Sequence, residues 1–168
     1  AEHGARATGR TGAAGTPAEA GGAGSRGLTI ADLAAAKKLP ADLLKNEFGL
    51  REHYPAVGCT VVVIPYRGPD GETITVRYRH ALDGPRRFAW PHGTRAKGMV
   101  YGLERLDAAR AAGWVLIVEG ESDVWTAAVH GIPAIGIPGK TNWPDDFAPA
   151  LRGLEVYVWQ EPGAEDFV

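Results

Sequence analysis

The last third of the chain alternates strand patterns with helix patterns, and this alternation constrains the fold more than any other sequence feature. Three short apolar runs are typical of buried strands, and two helical patterns separate them. In chain order they are a strand at residues 114–118, a helix at 122–130, a strand at 132–137, a helix at 145–151 and a strand at 154–159. Strands that alternate with helices through short links pair in parallel with right-handed crossovers. The pattern predicts an α/β domain over residues 113–168, with a Rossmann-like parallel sheet and flanking helices.

Carboxylates stand where the first and third of these strands end. Glu119 follows the first strand, Gly120 allows a sharp turn, and Asp123 lies in the first turn of the next helix, while Glu161 follows the third strand. The carboxyl ends of parallel strands form one crevice, and oxygen ligands suit Mg²⁺ or Mn²⁺ with substrate phosphates completing the shell. Two interpretations stay open: a divalent metal site at Glu119, Asp123 and Glu161, or acidic side chains that only satisfy a helix N-terminus and a loop.

The loop after the second strand contains Gly139-Lys140-Thr141. It is not a P-loop, because Ala134 stands where the pattern needs its first glycine and Pro144 stops a helix from starting directly after Thr141. The loop still follows a strand end at the same crevice. Lys140 and Thr141 are therefore candidate phosphate contacts.

The middle of the chain carries positive charge and aromatic rings. Residues 59–66 form a β-branched run, residues 68–71 a turn signal, and residues 72–80 alternate apolar with basic side chains, which predicts a hairpin with one apolar and one basic face. Arginines with interleaved aromatics are typical of single-stranded nucleic-acid binding, and a solvated β face is the alternative. The candidate nucleic-acid or nucleotide contacts here are Arg77, Arg79, Arg86, Arg87 and Trp90.

The first part of the chain divides into two segments. Residues 1–27 contain no large aliphatic or aromatic side chain, so we expect a disordered Ala/Gly-rich arm or linker. Two short helices follow, with Lys37 and Lys38 placed where cations suit the end of the first helix dipole. With the hairpin and a helix over residues 101–112, they predict a small basic α+β subdomain at residues 28–112.

Composition excludes several classes of protein. The 168 residues include 18 Lys and Arg against 20 Asp and Glu, so only local charge patterns indicate binding partners. No apolar run is long enough to span a bilayer, and no membrane partner is expected. The one cysteine, Cys59, excludes an internal disulfide framework and a cysteine-built zinc site. We expect a cytoplasmic protein.

The ordered combination of motifs resembles a known family. Val118-Glu-Gly-Glu-Ser-Asp123, then Gly131-Ile-Pro-Ala-Ile, then Pro138-Gly-Lys-Thr141 resembles the Toprim domain of bacterial-type primases, topoisomerases and some nucleases. The stretch before it is similar to the basic subdomain that precedes Toprim in primases of phages, plasmids and mobile elements. It is carried by Ile64-Pro-Tyr66, Asp70-Gly71, Arg77-Tyr-Arg79, Arg86-Arg-Phe88 and Val100-Tyr-Gly-Leu103.

The resemblance implies a DNA primase or primase-helicase. Such an enzyme would be a nucleotidyltransferase that uses Mg²⁺ or Mn²⁺ to make RNA primers on single-stranded DNA for replication of a mobile element. By the same resemblance, Glu119 would be the catalytic acid/base and a metal contact, and Asp123 a second metal ligand. The partners would be a single-stranded DNA template, nucleoside triphosphates and a replicative helicase.

One departure from the family pattern keeps alternatives open. The third strand of the family usually ends in Asp-x-Asp, whereas this chain has Gln160-Glu161-Pro162. We therefore expect a partial Toprim domain with either a reduced working site or no chemistry. The alternatives are a non-catalytic nucleic-acid-binding module of a helicase or replication protein, and a fragment of a Toprim nuclease or topoisomerase.

Overall fold

The computed structural model describes residues 27–56, 59–139, 143–144 and 146–160, and these ranges contain two sheets. The first is antiparallel in the order β1-β2-β3-β4, with strands at Arg51–Ala56, Cys59–Arg67, Thr73–Arg79 and Phe88–Ala89. The second is parallel in the order β6-β5-β7, with β5 at Trp114–Val118, β6 at Ala134–Gly136 and β7 at Glu155–Val158. The predicted mixed fold, a parallel sheet with flanking helices after a β-rich part, is confirmed.

The described residues contain four α-helices: α1 at Ile30–Lys37 and α2 at Ala41–Asn46 precede β1, α3 at Leu106–Ala112 lies between the two sheets in the chain, and α4 at Glu121–Val129 connects β5 to β6. Helix α1 begins where the Thr29 hydroxyl accepts the N–H of Asp32 at 3.1 Å, and it ends at Lys38, whose φ of 56° is left-handed. A 3₁₀ turn at Leu103–Arg105 precedes α3. None of the helices within the described ranges has the length and apolar character needed to cross a bilayer.

The predicted helix at residues 145–151 is shorter in the structure. A single 3₁₀ turn occupies Ala148–Leu151, and residue 145 lies outside the described residues. Four residues that include Pro149, which has no N–H to donate, form too few hydrogen bonds to sustain an α-helix. The chain still passes through this short turn into β7, which pairs in parallel with β5, so the predicted crossover is retained.

The hairpin of β2 and β3 shows the predicted alternation, but its basic face is the covered one. Arg79 is only 4% exposed, whereas Ile74 on the other face of β3 is 60% exposed. Arg77, between them, is half-buried on the same face as Arg79. The arginines of β3 therefore point toward the part of the chain that forms the parallel sheet rather than into open solvent.

Two hydrophobic cores lie on opposite faces of the parallel sheet. The first joins both parts of the chain, because Val124 and Trp125 of α4 pack with Tyr66 of β2 and with the buried face of α1 and α2. The second core packs α3 against the other face of the parallel sheet. The predicted domain boundary between residues 112 and 113 remains a prediction. Helix α3 lies before this boundary and packs on β5, which lies after it.

Gly136 makes a close contact that fixes the start of α4. A Cβ atom added here would lie 3.0 Å from the carbonyl oxygen of Gly120 and 3.1 Å from a methyl carbon of Val124. We expect Gly136→Ala to lower the free energy of unfolding by about 1–3 kcal/mol, because backbone at Gly120 has to shift. Urea denaturation followed by circular dichroism measures this change. A stability equal to that of the parent chain would show that the turn before α4 moves freely.

Candidate active site

A cleft of about 380 Å³ lies between the two sheets and has walls of opposite charge. Its acidic wall is the turn from the end of β5 into α4, with Glu119, Glu121 and Asp123. Its basic wall comes from the end of α1 and from the β3–β4 region, where Lys37, Arg77, Arg79 and Arg87 outnumber one acid, Asp83. A cleft of this kind suits a ligand that carries negative charge together with a bound cation.

The acidic wall follows from the way β5 ends. Gly120 takes the N-cap position of α4, and its N–H donates to Oδ2 of Asp123 at 3.1 Å. Glu119 and Asp123 are both half-buried, and both line the cleft. Asp123 therefore serves the helix N-terminus and faces the cleft as well, so the two interpretations of this carboxylate are compatible.

Glu121 is a buried carboxylate between these two residues. It is 3% exposed, and its Oε1 atom accepts the Tyr66 hydroxyl at 2.5 Å and the Arg77 Nη1 group at 2.8 Å. Burial lowers the pKa of Arg77, but the charge and hydrogen bond of Glu121, together with Tyr66, outweigh burial and raise that pKa above its usual value. Burial, and then the charge of Glu121, also raise the pKa of Tyr66.

The role of Glu121 is not visible in the local sequence. Local sequence places this residue among several acids near a helix N-terminus. Its partners lie on β2 and β3, and Tyr66 is 55 positions away in the chain. No local pattern identifies such a contact.

The basic wall is arranged around one aromatic ring. The guanidinium carbons of Arg77, Arg79 and Arg87 lie 3.9, 4.9 and 5.6 Å from the centre of the Phe88 ring. Arg79 also donates to the carbonyl oxygens of Ala81 and Leu82, and burial lowers its pKa. Cation–π contact holds three like charges close together at one side of the cleft.

The remaining candidate residues differ in position. Arg86 is exposed and does not line the cleft. Trp90 packs edge-on against Tyr66, with ring centres 4.8 Å apart, so it supports the wall from behind. Lys140, Thr141 and Glu161 lie outside the described residues, although Gly139 lines the cleft.

Lys37 is a cleft residue that the sequence analysis did not select. It is exposed at the last position of α1 and lines the basic wall. The sequence explained it by the helix dipole, which is sufficient reason for a lysine at that position. The packing of α1 in the core that it shares with β2 brings Lys37 to the cleft.

Two carboxylates fit a magnesium site here, although no complete protein cage is present among the described residues. No cluster of three His, Cys, Asp or Glu side chains suited to a metal ion occurs within those ranges. Mg²⁺ is usually held by one or two carboxylates plus substrate phosphates. Glu119 and Asp123 supply that donor set in the cleft, opposite the arginines.

Comparison with known sequences found a phage relative, while no family model matches the chain. The relative is the Gene 57 protein of Mycobacterium phage D29, which is 31% identical over 94 residues. The match covers 54% of this chain and 59% of the phage protein.

Solved structures of primases share the fold. The E. coli primase catalytic core matches with a TM-score of 0.61 at 16% identity, over 83% of this chain and 59% of that one. An Aquifex aeolicus primase with its zinc-binding and RNA polymerase domains matches with a TM-score of 0.52 at 18% identity, over 81% and 37%. A DnaG primase catalytic domain bound to single-stranded DNA matches with a TM-score of 0.55 at 17% identity, over 83% and 56%.

This chain thus spans about three fifths or less of the length of the proteins that it matches. The likeness extends over both sheets, since it covers more than four fifths of this chain. The resemblance seen in the sequence is confirmed at the level of structure: the described residues share the fold of part of the Toprim-containing catalytic core of bacterial-type primases.

Proposed function

We propose that this chain is the catalytic core of a Toprim-type primase, which joins nucleoside triphosphates into an RNA primer on single-stranded DNA. The observation that carries the proposal is the two-walled cleft, in which Glu119 and Asp123 face Arg79, Arg87 and Lys37. Phosphoryl transfer requires that the phosphates are held in place and that the negative charge developing on them is neutralised. A cleft with carboxylates on one wall and guanidinium groups on the other meets both needs.

In this proposal the residues that line the cleft have separate roles. Arg87 and Lys37 are exposed cations that bind phosphates of the template or of the incoming nucleotide. Arg79, held by the carbonyl oxygens of Ala81 and Leu82, presents a fixed positive charge. A carboxylate oxygen of Glu119 takes the proton of the attacking hydroxyl group.

Glu119 and Asp123 would hold Mg²⁺ or Mn²⁺, and Glu161 would be a third ligand. When bound, such an ion polarises the phosphoryl group and stabilises its developing charge. The two described carboxylates lie on one short turn, so the same turn geometry orients both of them toward the phosphates.

The comparisons support the substrates and the setting. One of the solved structures with this fold is a primase catalytic domain bound to single-stranded DNA. The sequence relative comes from a phage, which supports a role in the replication of a mobile element. The chain covers only part of these proteins, so the activity is proposed for the core that it contains.

A primer-synthesis assay tests the proposal directly. The chain is incubated with single-stranded DNA, labelled ribonucleotides and Mg²⁺ or Mn²⁺, and products are separated by length. Template-dependent RNA products that require the metal support the assignment. Metal-dependent nicking of DNA without nucleotides, and no RNA product, would instead identify a Toprim nuclease or topoisomerase fragment.

A second candidate function is single-strand binding without chemistry, as a module of a helicase or replication protein. It is favoured by Gln160, which stands where the family pattern has a carboxylate, and by the lack of a three-ligand cluster among the described residues. This candidate predicts single-strand binding that is sensitive to salt, needs no metal and survives Glu119→Gln.

The arginines after β3 give a prediction that separates cleft contacts from general surface charge. We expect Arg87→Ala to weaken single-strand binding and to reduce the slope of log affinity against log salt by about one. Arg86→Ala removes the same charge from the neighbouring residue, which does not line the cleft. Fluorescence anisotropy with a labelled oligonucleotide at several salt concentrations measures both slopes. Equal slopes for Arg87→Ala and the parent chain would remove Arg87 from the nucleic-acid site.

A further inference from the structure

Glu121 links the two walls of the cleft. It stands two residues after Glu119 and two before Asp123, on the turn that carries both carboxylates. Its own carboxylate turns inward and contacts Tyr66 of β2 and Arg77 of β3, which belong to the antiparallel sheet. The acidic wall is therefore tied to the strand that supplies much of the basic wall.

Arg77 is committed to this internal contact. Its guanidinium carbon lies 3.9 Å from the centre of the Phe88 ring and 5.2 Å from that of Trp90, and Nη1 donates to Glu121 at 2.8 Å. The Arg77 side chain is 16% exposed, and its Nε atom is buried without a hydrogen-bond partner. The charge of Arg77 is thus compensated inside the protein before any phosphate arrives.

Arg87 provides the contrast. It packs on the same ring, with its guanidinium carbon 5.6 Å from the centre of Phe88, and both arginines line the cleft, but Arg87 is exposed. Two arginines on one aromatic ring therefore differ in what they face. Arg77 is mostly covered and donates to the buried carboxylate of Glu121, whereas Arg87 is exposed at the cleft.

We propose that Glu121 is a positioning residue, which uses Tyr66 and Arg77 to fix Glu119 and Asp123 relative to the cleft arginines. In this arrangement Arg77 neutralises Glu121 and is not a phosphate contact. The assignment of a positioning role rests on the proposed function, because it supposes that the cleft binds nucleic acid and a metal ion. The contacts of Glu121 with Tyr66 and Arg77, called the tie below, are a property of the fold and can be measured without any ligand.

Salt dependence separates a positioning arginine from a binding one. We expect Arg87→Met to reduce the salt slope of single-strand binding by about one and Arg77→Met to leave that slope unchanged. Both variants remove one positive charge from the same ring, so each is the matched control of the other. A slope that falls by one in Arg77→Met would overturn the proposal, since it would make Arg77 a phosphate contact.

A second variant tests Glu121 without removing any cleft cation. Glu121→Gln keeps an oxygen that accepts hydrogen bonds but removes the charge that holds Arg77. We expect it to weaken Mn²⁺ binding, measured by electron paramagnetic resonance, about tenfold, although Glu121 is not one of the proposed ligands. We also expect faster amide hydrogen exchange in the peptide that spans residues 118–124. Parent-like Mn²⁺ affinity together with parent-like exchange would overturn the positioning role.

These measurements distinguish a failure of the proposed function from a failure of the positioning role of Glu121. A parent chain that binds neither Mn²⁺ nor single-stranded DNA would refute the proposed function. Hydrogen exchange would still report on the tie in that case, because it needs no ligand. Tyr66→Phe, which removes only the hydroxyl, provides a mild variant for the same exchange measurement if Arg77→Met does not fold. Unchanged exchange in both Tyr66→Phe and Glu121→Gln would refute the tie.

Discussion

Glu119→Gln is expected to reduce metal-dependent primer synthesis by a factor of about 10²–10⁴, the range that a positioned acid or base contributes. The amide keeps the shape of the carboxylate but cannot take a proton and is a weaker metal ligand. Because Glu119 is half-buried at the edge of the cleft and outside both cores, the variant should unfold at the same temperature as the parent chain. Primer yield and a thermal melt of the same preparation measure the two properties.

The control for this variant is Glu72→Gln. Glu72 is exposed in the turn between β2 and β3, away from the cleft, and the substitution makes the same chemical change. We expect primer synthesis by Glu72→Gln to equal that of the parent chain. If Glu119→Gln kept full activity, Glu119 would not be the catalytic acid or base, and the acidic wall would not be the catalytic centre.

Trp125→Ala is expected to lower the free energy of unfolding by about 3–5 kcal/mol, as for other large aromatic residues removed from a core. Trp125 is fully buried, its Nε1–H donates to the Tyr101 hydroxyl at 2.8 Å, and its ring packs near Phe48. The change removes these contacts and leaves a cavity between α4 and the antiparallel sheet. For a domain whose total stability is about 5–15 kcal/mol, this loss is a large fraction.

Trp159→Ala is the matched control, because the Trp159 side chain is 63% exposed. Surface substitutions of this kind usually change stability by about 0.5 kcal/mol or less. Urea denaturation followed by circular dichroism suits both variants, since each alters tryptophan fluorescence. Similar stabilities for the two variants would show that α4 is not anchored by its inner face.

The sequence predicts the elements well where their causes are local. The boundaries of β5 follow from an uninterrupted apolar run, and Thr29, a favourable N-cap residue, marks the start of α1. The acidic turn is recognisable for the same reason, because a strand end, a glycine and a helix start are adjacent in the chain. Local sequence is therefore enough to place Glu119 and Asp123 at one site.

What the sequence does not predict depends on packing between distant segments. Alternation along β3 shows that Arg77 and Arg79 share a face, but it does not show which face is covered. That is decided by Phe88 and Glu121, which arrive from later parts of the chain. Lys37 reaches the cleft only because α1 packs beside the sheet. Contacts of this kind have no periodic signature in sequence.

Helix α4 belongs to both parts of the molecule: its first turn carries Asp123, and its inner face is buried against the antiparallel sheet. This arrangement limits where natural recombination or protein engineering can join segments of two related proteins. A recombination junction placed just before β5 would separate Trp125 from Phe48 and Tyr66, and it would also separate Glu121 from Arg77. Working chimeras should therefore inherit the basic subdomain and α4 from one parent, so that the hybrid keeps both walls of the cleft together.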